Sequence, residues 1–143
     1  MLVQAQAVVT TADRRRLRDM IESLRAKLPT SGEPYAGYLR ALEDRLVRTG
    51  TVPAAEVDGD TVTMNSKIAV RETDTGRREV ITLVYEADAD PFGEKISVLT
   101  PLGVVILGAR VGEVIEWQTR RGPRRLRIER ILFQPEAAGD FEL

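Results

Sequence analysis

The 143-residue chain contains no cysteine and no histidine. The absence of cysteine excludes disulfide bonds and thiol nucleophiles, and the absence of both residue types excludes zinc sites built from the usual ligands. Without histidine, the chain also lacks the side chain that most often acts as a general acid or base near neutral pH. The sequence therefore predicts no cofactor, no metal centre and no enzymatic activity.

The chain also has few aromatic residues, little net charge and no long hydrophobic run. Aromatic residues make up 5% of the sequence, and the net charge is −1 although 30% of the residues are charged. Such a chain has no overall field that would attract nucleic acid or an anionic membrane. No apolar run approaches the roughly 20 residues of a membrane-spanning helix. We therefore expect a cytoplasmic protein with no membrane partner and no direct sequence-specific binding of nucleic acid.

Two apolar stripes with helical spacing occur in residues 1–50. The stripes consist of Leu17, Met20, Ile21, Leu24 and Leu28, and of Tyr35, Tyr38, Leu39, Leu42 and Leu46. Spacings of three and four residues are typical of amphipathic helices, and the proline- and glycine-containing segment 29–34 separates the two stripes. The pattern predicts that the stripes face each other in an antiparallel hairpin. Its tip is formed by Ser31, Gly32 and Glu33.

The hydrophobic period changes from helical to strand-like across residues 51–60, which are rich in glycine, proline and acid. We predict a hairpin in residues 1–50, a linker in 51–60 and a second domain in 61–143. Strand patterns occupy residues 62–71, 78–85, 95–99, 114–118 and 124–133, and Gly122-Pro123 is predicted to turn the last pair. The fold class is thus α+β, with a mainly antiparallel sheet.

One short helix is predicted between the strands at 95–99 and 114–118. Thr100 can act as the N-cap, Pro101 fits the first helical position because its missing N–H is not needed there, and Gly108 can provide a left-handed stop. These three residues together predict a helix of about two turns.

Several motifs in residues 62–141 resemble one bacterial family. They are Val62-Thr63-Met64-Asn65-Ser66, Thr82-Leu83-Val84-Tyr85, Pro101-Leu102-Gly103, Leu107-Gly108, Val111-Gly112-Glu113 and the segment from Gln134 to Phe141. The chain resembles the Gre transcript-cleavage factors, and within them the Rnk group, the regulators of nucleoside diphosphate kinase. This resemblance implies an N-terminal antiparallel coiled coil and an FKBP-like C-terminal domain. It also implies RNA polymerase as partner, with the C-terminal domain at the rim of the secondary channel and the coiled coil projecting inside.

The resemblance also implies a polymerase-binding surface, which consists of Leu99, Thr100, Pro101, Leu102 and Asp90. An exposed Leu99 would favour docking. The alternative interpretation is that Thr100 and Pro101 only start a helix and that Leu99 completes a strand; the two interpretations are compatible.

The residues at the hairpin tip indicate whether the protein can stimulate transcript cleavage, the activity that the resemblance suggests. Cleavage-stimulating members of the family are thought to hold a second Mg²⁺ with two acidic residues at the tip, in line with the preference of hard cations for carboxylates. Here Glu33 is the only acid at the tip, while Asp19 and Glu22 lie back along the first helix. We therefore predict a regulator of transcription that does not stimulate cleavage and inhibits by occupancy. The alternatives are a peptidyl-prolyl isomerase-like enzyme and an interaction module that influences nucleoside diphosphate kinase levels.

Three charged clusters remain. They are Arg14, Arg15, Arg16 and Arg18; Arg120, Arg121, Arg124, Arg125 and Arg127; and Glu86, Asp88 and Asp90. We interpret both arginine clusters as solvated faces, with contact to an acidic polymerase surface as the alternative for the first and contact to phosphate as the alternative for the second. The acidic cluster precedes a proline and a glycine, which favours a hydrated loop over a divalent-cation site.

Overall fold

The computed structural model of the chain describes residues 7–28 and 35–142. The elements in these ranges are β1 (Val8–Thr10), α1 (Thr11–Lys27), α2 (Tyr35–Arg48), β2 (Gly50–Val52), β3 (Lys67–Glu72), β4 (Arg78–Val84), β5 (Lys95–Ser97), α3 (Pro101–Ile106), β6 (Val114–Thr119) and β7 (Gly122–Phe133). Single turns of 3₁₀ helix occur at Ala54–Glu56, Glu86–Asp88 and Pro91–Gly93. The α+β class, the two N-terminal helices and the short helix are confirmed.

Five strands form one curled sheet in the order β5-β4-β3-β7-β6. All neighbouring strands are antiparallel except β4 and β5, which run parallel, so the prediction of a mainly antiparallel sheet is confirmed. The connection between β4 and β5 crosses over through the loop of residues 85–94. The short strands β1 and β2 form a separate parallel pair that joins the start of α1 to the end of α2.

Three predicted boundaries in the sheet are wrong, and the first is the end of β5, which lies at Ser97 and not at residue 99. The strand predicted from residue 62 begins only at Lys67, because residues 63–66 form a tight turn in which Asn65 has φ of 66° and Ser66 N donates to Thr63 O at 3.0 Å. The last hairpin turns at residues 120–121 instead of at Gly122-Pro123. Pro123 is tolerated within β7 because it lies beyond the end of β3, where no ladder hydrogen bond is required of it.

The apolar stripes of both helices are buried together with the sheet. Side chains from α1, α2, α3 and the sheet belong to one hydrophobic cluster, and the members in α1 and α2 that are exposed by at most 2% are Leu17, Ile21, Leu39, Leu42 and Leu46. The core is therefore continuous across the predicted boundary at residues 51–60. The stripes contact the globular part as well as each other, so an independent coiled coil stays a prediction. The similarity of the C-terminal domain to the FKBP fold also stays a prediction.

Polar contacts hold the helices to each other and to the sheet. Arg14 Nη1 donates to Leu46 O at 2.9 Å, and Arg25 Nη1 donates to Glu43 Oε2 at 2.9 Å, an order that fits antiparallel helices. Arg45 Nη2 donates to Leu107 O at 2.7 Å and so connects α2 to the C-terminal end of α3.

Within residues 7–28 and 35–142, no helix is both long and apolar enough to cross a membrane.

Candidate functional site

The start of α3 has the cap geometry that the sequence predicts. Thr100 Oγ1 accepts from Gly103 N at 3.0 Å and donates to Ser97 O at 2.8 Å, so one hydroxyl joins the first turn of α3 to the end of β5. Pro101 occupies the first helical position. At the other end, Gly108 has φ of 80°, the left-handed conformation expected of a glycine stop.

Gly103 fixes how closely α3 approaches the strand before it. A Cβ atom at this position would lie 2.1 Å from Ser97 O and 2.8 Å from the Cα of Val98. Both neighbours are backbone atoms, so no side-chain movement could make room. The absence of a side chain at Gly103 therefore allows the tight corner between β5 and α3 to form.

A second set of contacts stabilises the same corner from the side of β4. The Ser97 hydroxyl donates to the Glu86 carboxylate and accepts from Leu99 N at 3.1 Å. Val98 N donates to Val84 O at 2.9 Å. The segment from Ser97 to Gly103 is thus held by hydrogen bonds to the loop after β4, to β4 itself and within the cap.

The predicted polymerase-binding residues differ in their exposure. Pro101 is exposed, Thr100 and Leu102 are half-buried, and Leu99 is 2% exposed. The exposed Leu99 that would favour docking is therefore not found, because the turn after β5 directs this side chain into the hydrophobic core. Leu99 packs under the corner, and the accessible side chains of the corner are those of Thr100, Pro101 and Leu102.

Asp90 lies in the loop that precedes β5. Its Oδ1 accepts from Phe92 N at 3.0 Å, and its backbone exchanges two hydrogen bonds with Lys95, at 3.0 and 2.9 Å. This closed loop presents the side chain of Phe92 with 98% exposure. Sequence reasoning missed Phe92; the aromatic residue between a proline and a glycine in a polar loop was the available signal.

Two tyrosines of α2 lie beside the corner at Thr100 and Pro101. A groove of about 350 Å³ is lined by Tyr38, Pro101, Val104 and Trp117 among others. A smaller crevice of about 130 Å³ is lined by Tyr35, Tyr38, Glu86, Leu99, Thr100 and Pro101. Burial, with a contribution from the Glu86 carboxylate, raises the pKa of Tyr35. The sequence analysis predicted that both tyrosines lie in the contact between α1 and α2. Helical periodicity identifies the buried side of a helix but does not show which element packs against it.

The predicted tip residues Ser31, Gly32 and Glu33 lie outside the described residues. In the described part of the chain, no group of three or more carboxylates is close enough to hold a metal ion. The acidic cluster of the loop is used otherwise, since Glu86 accepts from Ser97 and Asp90 caps the turn at Phe92, while Asp88 is exposed.

The arginine cluster near the last hairpin divides between two sides of the sheet. Arg124 forms an ion pair with Glu72 and lies over the ring of Trp117, with its guanidinium carbon 5.6 Å from the ring centroid. Arg125 pairs with Glu116 at 3.3 Å on the opposite side. The two arginines therefore cannot serve one common surface.

Comparison with known proteins agrees with this architecture. Residues 56–133 match the family described as "Transcription elongation factor, GreA/GreB, C-term". This match extends over more than half of the chain, and the chain belongs to this family. The resemblance inferred from the sequence motifs is confirmed.

Individual relatives fall into two groups. The "Regulator of nucleoside diphosphate kinase" of Escherichia coli (strain K12) is 38% identical over 112 residues, which are 76% of this chain and 82% of the relative. "Transcription elongation factor GreA" of Rhodopseudomonas palustris (strain TIE-1) is 30% identical over 95 residues, or 66% of this chain. The chain spans only 60% of the length of that GreA.

A solved structure shares the fold over nearly the whole chain. The prokaryotic transcription elongation factor GreA/GreB from Nitrosomonas europaea is 32% identical and superimposes with a TM-score of 0.70. The alignment covers 91% of this chain and 100% of that one. The helical pair and the sheet are therefore found together in another protein described as a transcription factor.

Proposed function

We propose that the protein is a transcription regulator that binds RNA polymerase through the corner at the start of α3 and does not stimulate transcript cleavage. Membership of a family described as transcription elongation factors supports the first part of this proposal. The similarity to the regulator of nucleoside diphosphate kinase, a protein not named for elongation, supports the second part.

The observation that carries the proposal is the rigidity of an exposed corner. Hydrogen bonds from Thr100, Ser97 and Gly103 fix the backbone around Pro101 before any partner arrives. Preorganisation lowers the entropy lost on association, so a small surface can bind more tightly than its area suggests. The exposed ring of Pro101 and the groove beside it offer apolar contacts suited to a protein partner.

The helical pair fits a protein that acts by occupying the secondary channel of RNA polymerase and not by catalysis. Helix α1 has 17 residues, equivalent to about 26 Å. Its buried stripe reaches Ile21, so within α1 as the structure describes it the segment 22–27, about 9 Å long, extends beyond the last fully buried position. We propose that this short extension reaches the mouth of the secondary channel and obstructs it, and that Asp19 and Glu22, which lie along the helix, hold no catalytic metal.

Substitution of Pro101 by glutamate tests the binding surface. An acidic residue is compatible with the first turn of a helix, so α3 should still form, while the charge should weaken apolar docking. We expect Pro101→Glu to reduce the affinity for core RNA polymerase at least tenfold in a fluorescence anisotropy titration with labelled protein. Val47→Glu, at a 74% exposed position on α2, is the matched control and should bind normally. Equal affinities of the two variants, or no binding of the unmodified protein at low salt, would contradict the proposal.

The second half of the proposal needs a backtracked elongation complex. Addition of the protein should leave the RNA at full length and should slow cleavage by a true cleavage factor added afterwards. Efficient shortening of the RNA by this protein alone would overturn the assignment as a factor that does not stimulate cleavage.

A further inference from the structure

The outer face of the five-stranded sheet, which points away from the hydrophobic core, carries most of the positive charge of the sheet. Residues that pair across neighbouring strands point to the same side, so strand pairing assigns each side chain to a face. Ile68 and Val70 of β3 are buried, and their neighbours Lys67, Ala69 and Arg71 therefore lie outside. By the same pairing, the basic residues of this face are Lys67, Arg71, Arg78, Lys95, Arg125, Arg127 and Arg130.

Within the described strands, two carboxylates accompany these seven basic residues on the outer face. They are Glu116, which pairs with Arg125, and Glu129. The strand residues of this face therefore have an excess of five positive charges, and of four when Asp90, opposite Lys95, is included, although the net charge of the whole chain is −1. Such a separation of charge within a small domain creates a local field that the net charge conceals.

Three arginines form a row across the three central strands of this face. Arg71 lies directly opposite Arg78 on one side and Arg127 on the other, in neighbouring strands about 4.8 Å apart. Like charges directly opposite each other destabilise a sheet. Glu129 offsets part of this repulsion in the free protein, and a bound polyanion would offset the rest.

Among the described residues of the sheet, one carboxylate balances this row, and it lies at a β-bulge in β7. Ala69 is opposite Arg130 and Val70 is opposite Ile128, so Glu129 is an extra residue in β7. Alternation along β7 puts Arg127 and Glu129 on the outer face, where Glu129 contacts Arg71 and Arg78 at 3.5 Å each, and the bulge brings Arg130 to the same face. One carboxylate is thus shared between two guanidinium groups, and a phosphate oxygen could replace it at either of them.

The basic side chains are accessible. The side chains of Arg78, Arg125 and Arg71 are 68%, 56% and 40% exposed. Among the residues that the structure describes, Arg130 has no acidic partner within ion-pair distance. Phe133, opposite Lys67 at the end of the same face, is 38% exposed and provides an aromatic ring beside the charges.

We infer that this outer face binds the phosphate backbone of a single-stranded nucleic acid without reading its sequence. Guanidinium groups match phosphate oxygens in geometry, and an exposed aromatic ring can stack on an unpaired base but not on a base inside a duplex. Helix α3 packs on the inner face of the sheet, so the inference is independent of the proposed docking at Pro101.

The test measures binding of the full chain to a fluorescein-labelled 20-nucleotide oligo(U) RNA and to oligo(dT) DNA by anisotropy at several salt concentrations. Neutralisation of five phosphates on a single strand gives a slope of about −3.5 in log affinity against log salt. This slope corresponds to an affinity about 100-fold lower at 200 mM than at 50 mM salt. Binding of either strand with such a slope supports the inference, and a preference between the two identifies the strand used.

Three variants distinguish binding at the outer face from non-specific attraction between the nucleic acid and any positive charge of the protein. Arg127→Gln with Arg130→Gln should weaken binding at least tenfold and make the slope shallower by about 1.4. Arg15→Gln with Arg18→Gln removes the same charge from exposed positions on α1 and should leave the affinity within twofold. Glu129→Gln should strengthen binding several-fold because it frees Arg71 and Arg78, an effect that a damaged fold would not produce.

Several results would overturn the inference. They are the absence of binding at 50 mM salt, equal losses in the two arginine double variants, tighter binding of a 20-base-pair duplex than of the single strand, and displacement of the oligonucleotide by an equal concentration of polyglutamate. The last result would instead assign the face to an acidic protein surface.

Discussion

Substitution of Asp13 by asparagine is expected to remove a large part of the pH dependence of folding stability. Asp13 lies in the first turn of α1, where its backbone N–H donates to Thr10 Oγ1 at 3.0 Å, and only 2% of its side chain is exposed. Its Oδ2 accepts from Met64 N at 3.1 Å, which joins α1 to the turn before β3. Arg16 Nη1 is 3.9 Å from Oδ1.

The charged groups around Asp13 determine the direction of the effect. The pKa of Asp13 is raised from 3.8 to about 6, chiefly by burial and also by the Glu136 carboxylate, against the opposing effects of the Met64 N–H, Arg16 and Thr10. Tyr85 also faces this site and stays neutral, because burial raises the pKa of its hydroxyl. Between the unfolded and the folded pKa, the folded protein binds more protons, so this group makes stability fall as the pH rises.

The size of the effect follows from the same pKa shift. A rise of about 2 pKa units corresponds to about 3 kcal/mol in the free energy of unfolding. About 2 kcal/mol of this total is expected between pH 4.5 and 7.5, because part of the transition lies below pH 4.5. Asparagine keeps an oxygen that can accept from Met64 N–H but does not titrate, so the Asp13→Asn variant should lack this contribution.

Urea unfolding of the unmodified protein and of Asp13→Asn at pH 4.5, 5.5, 6.5 and 7.5 measures this difference. We expect the stability of Asp13→Asn relative to the unmodified protein to increase by about 2 kcal/mol from the lowest to the highest pH. Asp13→Ala is the control for the hydrogen bond and should be less stable than Asp13→Asn by about 1–3 kcal/mol at every pH, because it leaves the Met64 N–H unpaired. A difference between the unmodified protein and Asp13→Asn that stays constant with pH would refute the reasoning.

Three further substitutions address the corner and the helical pair through chemical unfolding at pH 7.5. Gly103→Ala should destabilise by about 3 kcal/mol or more, because the new Cβ would meet Ser97 O at 2.1 Å; a loss below about 1 kcal/mol would show that the corner is adaptable. Arg45→Met should cost about 1.5–3 kcal/mol, since Leu107 O loses its donor, and an unchanged midpoint would mean that water replaces the guanidinium. Arg25→Gln should change stability by less than about 1 kcal/mol because its ion pair with Glu43 is exposed, and a larger loss would indicate a wider role for this pair.

Local signals in the sequence determined the parts of the fold that depend on near neighbours. The spacing of apolar residues predicted α1 and α2, and Thr100, Pro101 and Gly108 predicted α3, because capping and helical periodicity act within a few residues. The motifs between residues 62 and 141 identified the family because each of them specifies a turn or a cap that forms within a few residues. Asn65 and Gly108 both have positive φ in the structure.

Contacts between distant residues decided the rest. Leu99 is buried because of the turn from β5 into α3, and Tyr38 lines a groove with Trp117, 79 positions further along the chain. The positive face exists only because strand register brings Arg71, Arg78 and Arg127 to the same side and a β-bulge adds Arg130. The sequence by itself thus determined which helices form and to which family the chain belongs. The tertiary structure alone decided which side chains are exposed together, because exposure depends on pairing between segments that local periodicity does not relate.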